Sequence, residues 1–296
     1  MTKLKLTLIA MTFLGFANAQ TFKVSAGYGF PWITQPIGTN TSTTAITTTD
    51  PGTNTETSRT IYTSENINGS LGSGWNIGGA YIYDFSKNLN LELGLNYLVG
   101  RSYTTQSSYT ETNSEIVNSM SVESESSNSR AFSFTPTLKF MIFDRRRRVT
   151  PYFFAGPVLS KVNFSRDLKR YVEENGSIST ESRTTKFKGG ISVGIRGGGG
   201  INVQLNKKFN FFSEIIFTGM NYYPKESEIT RYTVNGEDNL NALTQNVRKT
   251  TYHNKISTDS QNTASETNSP GKSLRFPVAM SSMSINVGVI IKPNKN

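Results

Sequence analysis

The sequence predicts an all-β protein, an eight-stranded antiparallel up-and-down barrel, on three observations. Apolar side chains recur at every second position in eight separate runs, with no sustained 3.6-residue period. The connections between those runs alternate between tight turns and long polar stretches. Finally, only 35% of the 296 residues are apolar, and no stretch of about 20 consecutive apolar residues exists beyond the first twenty, which excludes a bundle of membrane helices.

The chain opens with an address. Lys3 and Lys5 form a positive start, Leu6 to Phe16 an apolar stretch, and Ala17-Asn18-Ala19 a small-x-small cleavage signature. Residues 1–19 are therefore expected to be a signal peptide, and 20–296 the exported barrel domain. Removal of the leader takes the net charge from +10 to +8.

The first alternating run is 21–32, with Phe22, Val24, Ala26, Tyr28, Phe30 and Trp32 on one parity. The second, 71–85, carries Leu71, Trp75, Ile77, Tyr81, Tyr83 and Phe85. The third is the clearest: Leu89, Leu91, Leu93, Leu95 and Tyr97 face one side, and Asn90, Glu92, Gly94 and Asn96 the other. In 131–143 Phe132, Phe134, Leu138, Phe140 and Ile142 alternate with Ser133, Thr135, Thr137 and Lys139. A fifth run covers 150–164. The sixth, 187–205, sets Phe187, Ile191, Val193, Ile195, Ile201 and Val203 against Lys188, Ser192, Arg196 and Asn202. In 209–222 Phe209, Phe211, Ile215 and Phe217 alternate with Asn210 and Glu214, although Phe212 and Ile216 break the pattern. The last run, 273–291, changes phase near Ser281-Ser282, as a β-bulge would make it do.

Three connections are tight (86–88, 145–150 and 206–208). Four are long, polar and rich in Thr, Ser and Asn: roughly 33–70, 106–130, 165–186 and 223–272. Each run reaches the roughly 9–11 residues that a spanning strand needs. Lipid offers no water to backbone groups, so spanning strands must close into a ring. The face opposite the apolar one is mostly Gly, Ser, Thr and Asn, which suits a narrow lumen better than the wet face of a soluble sandwich. Together these features predict a transmembrane β-barrel with short periplasmic turns and four long extracellular loops. Aromatics near the short turns, among them Tyr81, Tyr83, Phe85, Phe140, Tyr152, Phe154, Phe209 and Phe211, are expected to form an interfacial girdle.

Thr150-Pro-Tyr-Phe-Phe-Ala-Gly-Pro-Val-Leu159, in the setting of this strand pattern, resembles the fifth strand of the small outer-membrane β-barrel family, the OmpA/OmpX-like and porin-like barrels. The resemblance spans the exported chain and implies an outer-membrane location. One departure is the ending, Ile290-Ile-Lys-Pro-Asn-Lys-Asn296, where such barrels usually finish on an aromatic residue.

Eight strands leave an interior that side chains fill. Parity directs Lys23, Glu92, Lys139, Lys188, Arg196 and Glu214 inward. Glu92 is expected to meet Lys139, and Arg196 to meet Glu214, because an unpaired charge in that space would cost several kcal/mol. Such pairs would plug the lumen.

Other features point to simpler roles. Arg145, Arg146, Arg147, Arg148, Lys207 and Lys208, with Lys87, Lys292 and Lys295, are expected to form basic turns facing anionic phospholipid headgroups, with no nucleic acid required. Gly197 to Gly200 lacks the Lys-Ser/Thr and the helix of a phosphate loop. With no Cys and one His, thiol chemistry, disulfides and Cys-ligated zinc are excluded, and His253 has no neighbouring nucleophile motif. The expectation is a monomer with no catalytic site, cofactor or metal, seated in outer-membrane lipid. It would serve as a structural or adhesive scaffold whose loops meet a surface ligand or host molecule. A narrow porin and a lipid-modifying barrel enzyme are the alternatives.

Overall fold

The computed structural model describes residues 21–50, 52, 55–113, 116–142, 148–256 and 269–292. The proposed signal peptide and Arg145 to Arg147 lie outside them. In chain order the strands are β1 (Thr21–Pro31), β2 (Gln35–Asp50), β3 (Thr55–Gly69), β4 (Gly74–Asp84), β5 (Leu89–Gly100), β6 (Tyr103–Asn113), β7 (Ile116–Met141), β8 (Val149–Glu174) and β9 (Ser177–Gly189). They continue with β10 (Ile191–Gln204), β11 (Phe209–Tyr222), β12 (Pro224–Val234), β13 (Glu237–Asp238), β14 (Lys249–His253), β15 (Gly271–Leu274), β16 (Val278–Ala279) and β17 (Ser282–Ile291). A single α-helical turn, Gln245–Arg248, precedes β14. Among the described residues no helix is long and apolar enough to cross a membrane.

The described residues thus form 17 strands, which corrects the expected eight. Eight of them form a closed cycle of antiparallel pairs: β1 with β4, β4 with β5, β5 with β7, β7 with β8, β8 with β10, β10 with β11, β11 with β17, and β17 with β1. The closing seam runs unbroken from Phe22 opposite Ile291 to Pro31 opposite Ser282. Closure leaves none of these ring segments with a free edge.

Most of the remaining strands come from the segments expected to be loops, whereas β16 lies within the last alternating run, 273–291. β2 and β3 form a hairpin, and β2 lies parallel to β6. β7 and β8 each run for 26 residues, about 85 Å of extended chain, so their far halves stand well clear of the ring and pair with β6 and β9. β12 continues this sheet from β9 to β14, and β14 to β15. The physical reason lies in the composition: Thr is β-branched and favours extended backbone, and the ring strands offer hydrogen-bonding edges for these segments to follow.

At the other end the turns are short. Asn206 Oδ1 accepts the N–H groups of Lys208 and Phe209, both at 2.8 Å, which fixes the β10–β11 turn. Ser86 Oγ does the same for Asn88 and Leu89 between β4 and β5.

The ring's outer face is apolar. Ile191, Val193 and Ile195 on β10 are 69, 67 and 75% exposed, and Ile285, Val287 and Val289 on β17 also point outward. Aromatic pairs mark two levels on this face: Phe22–Tyr81 and Tyr83–Phe85 near the turns, and Tyr28–Trp75 and Trp32–Phe217 near the extension. Tyr152 and Phe154, expected in the girdle, instead face inward and are buried, because β8 directs its even positions to the interior.

Candidate functional site

The interior of the ring holds the chemistry. Lys23 on β1, Glu92 on β5, Lys139 on β7 and Glu214 on β11 converge from four strands, and all four are buried. Lys23 Nζ lies 2.8 Å from Glu92 Oε1 and 2.6 Å from Glu214 Oε1. Lys139 Nζ lies 2.8 Å from Glu92 Oε2 and 3.5 Å from Glu214 Oε1. Each ammonium therefore bridges both carboxylates, and the formal charges cancel. The Tyr152 hydroxyl donates to Glu214 Oε1 at 2.7 Å. The two ammonium groups also sit against aromatic faces, Lys23 4.5 Å from the Phe212 ring centroid and Lys139 4.2 Å from that of Tyr152.

Glycine makes room for this cluster. A Cβ on Gly200 would lie 2.4 Å from the Ser213 carbonyl oxygen, 2.8 Å from Glu214 Cγ and 2.9 Å from the Tyr152 hydroxyl. Gly200 thus serves packing inside the ring, as does Gly198, where an added Cβ would meet the Ile215 carbonyl and the Phe154 ring.

Apolar side chains lie on both sides of the charges. Ile82, Phe212 and Ile290 form one buried group toward the turns, and Tyr152, Phe154, Met141 and Ile216 another. Toward the extension a larger group includes Leu71, Val158, Met220, Tyr222 and Met280, with stacked Phe164 and Phe187 above. Phe212 and Ile216, which break the sequence alternation, are the residues that turn inward to build these layers.

Two sequence expectations are corrected by register. Arg196 stands opposite Thr218, whereas Glu214 stands opposite Gly200, four positions away or about 13 Å along the strand. The structure therefore does not bring Arg196 to Glu214. Lys188 is not in the lumen: it is exposed on β9 and reaches Glu228 at 3.4 Å. Gly190 belongs to neither β9 nor β10, so the inward phase is not carried from 188 to 196, and Phe187 turns inward instead.

Arg148, Lys207 and Lys208 are exposed, as is Lys87, and all four lie at the turn end of the ring. His253 ends β14, exposed, with Nε2 3.1 Å from Thr251 Oγ1. Among the described residues no group of three or more His, Asp or Glu side chains gathers as a metal site.

No protein-family model and no curated protein matches the chain. Among solved structures, it is similar to the outer membrane protein OprG from Pseudomonas aeruginosa, at 12% identity over 94% of this chain and 97% of that one, with a TM-score of 0.43. It is also similar to the outer membrane protease OmpT from Escherichia coli, at 11% identity over 93% of this chain and 97% of that one, with a TM-score of 0.29.

Proposed function

We propose that this chain is an integral outer-membrane β-barrel, monomeric and closed to solutes, that works as a rigid scaffold presenting its extended sheet for surface recognition or adhesion. The observation that carries this reading is the contrast between the two faces of the ring. Its exterior is an aliphatic band between two aromatic levels, separated on β1 by the eight residue steps from Phe22 to Phe30, or about 26 Å along the strand. At the roughly 35–45° tilt of barrel strands that is about 20 Å of height, a little under the roughly 25 Å apolar band of such barrels. Its interior is filled by a self-neutralising charge cluster between apolar layers.

The turn end, with Lys87, Arg148, Lys207 and Lys208, faces the periplasmic leaflet in this reading, where cations favour anionic headgroups. The Thr- and Ser-rich strands β2, β3 and β6, with the far halves of β7 and β8, then project outside the cell. A polar surface on a rigid frame is suited to recognition. No cofactor, metal or nucleic acid enters this role.

Conductance in planar bilayers tests the closed lumen. The expected result is the absence of stable steps from wild-type protein and their appearance in Glu214→Ala. Frequent, stable wild-type steps would overturn the scaffold reading in favour of a narrow porin.

A further inference from the structure

Between the charge cluster and the apolar layer nearest the extension lies a chamber of about 80 Å³, whose wall mixes polar side chains with apolar ones such as Val158, Ile216 and Met220. Its cation is Arg196. The Arg196 Nε is buried without a hydrogen-bond partner, and among the described residues the guanidinium makes no ion pair. The two glutamates deeper in the ring are already shared by Lys23 and Lys139. The guanidinium carbon lies 5.8 Å from the Phe154 ring centroid, a contact that supplies no counter-charge. A buried polar group left in this state calls for an unseen partner.

The register shows what surrounds it. Arg196 stands opposite Thr218, and Thr218 opposite Ser282, so the three form one row across β10, β11 and β17. Ser284 lies two residues from Ser282 on the same inward face, and both serines are buried. Thr218, Ser282 and Ser284 line the chamber, and none of their hydroxyls makes a hydrogen bond among the described residues. Each hydroxyl hydrogen rotates freely, so all three can act as donors to a common acceptor.

We propose that this chamber binds a small inorganic anion of the halide class, held by the Arg196 guanidinium and the hydroxyls of Thr218, Ser282 and Ser284. A water molecule occupies about 30 Å³ of liquid, so the chamber takes one halide with a water or two. It is far below the roughly 300 Å³ at which sites for organic ligands begin. The anion neutralises the charge that the cluster below leaves uncompensated.

Bromide is the probe. In the full exported chain refolded in detergent, the thermal midpoint in sodium bromide should exceed that in sodium gluconate of equal ionic strength by several degrees, because gluconate is too large to enter. Crystals grown with bromide should show an anomalous peak within hydrogen-bond distance of Arg196. Both signals should vanish in Arg196→Gln. If that variant does not fold, Thr218→Val combined with Ser282→Ala keeps the guanidinium and should weaken the bromide response about tenfold. Equal midpoints in the two salts, no peak in wild type, or an undiminished response in these variants would overturn the site.

Discussion

Lys23 and Glu214, 191 residues apart in sequence, meet at 2.6 Å inside the ring, reaching across β17 from β1 and β11. Their contact ties the first ring strand to one near the end of the chain. Breaking one member of such a buried cluster leaves an uncompensated charge, at a cost of about 3–5 kcal/mol. Glu214→Gln should therefore lower stability by about that much in denaturant titration of the refolded protein. Lys23→Met combined with Glu214→Gln should cost clearly less than the sum of the two single changes. Additive losses would show that the pair is not energetically coupled.

Gly200 is held small by its neighbours. Gly200→Ala drives a methyl group against the Ser213 carbonyl and the Tyr152–Glu214 hydrogen bond. A loss of about 1–3 kcal/mol is expected, as for other overpacked interiors. The folded-to-unfolded shift in gel mobility on heating reads it out, as a lower transition temperature. Gly199→Ala is the comparison: its added carbon approaches only the Phe153 ring atoms, at 3.1 Å or more, and the Tyr152 carbonyl at 3.4 Å, so its effect should be smaller.

The lipid-facing reading of the outer face can be tested at Val287 on β17, which is 45% exposed and stands opposite Ala26, midway between Phe22 and Phe30. Val287→Arg should reduce stability in bilayers by about 2–4 kcal/mol if hydrocarbon surrounds that position near mid-depth. Ile178→Arg on β9 lies beyond the ring and should change stability little. Similar small effects at both sites would mean that water, not lipid, bathes β17.

The chain contains no cysteine, so a single introduced one is a unique label. Tyr62→Cys on β3, exposed in the extension, should react with a membrane-impermeant maleimide on intact cells. Lys207→Cys in the β10–β11 turn should react only after the outer membrane is permeabilised. The reverse pattern would invert the proposed orientation.

Much of the ring is legible in the sequence because a strand's side chains alternate faces whatever its neighbours do. Leu89 to Tyr97 is enough to place Leu95 outside and Glu92 inside. Parity likewise directs Lys23, Lys139, Arg196 and Glu214 inward. It fails where a strand is interrupted, as at Gly190, beyond which parity assigns Lys188 to the wrong face. The polar connections carry a weaker signal: a Thr-rich segment favours extended backbone but has no apolar face to announce it, so β2, β3 and β6 are not legible as strands, whereas the alternation at 229–234 in β12 is.

Which inward charges touch is a question of height, and height depends on how far each strand slides against the next. Period-2 alternation fixes the face of a residue but repeats identically at every even shift. The sequence by itself determined an all-β chain with apolar alternation, an inward set of charges and basic short turns. Only the tertiary structure decided that Lys23 joins Glu92, Lys139 and Glu214 while Arg196 stands four residues away from its expected partner, because the register of each strand pair is set by contacts made around the whole closed ring.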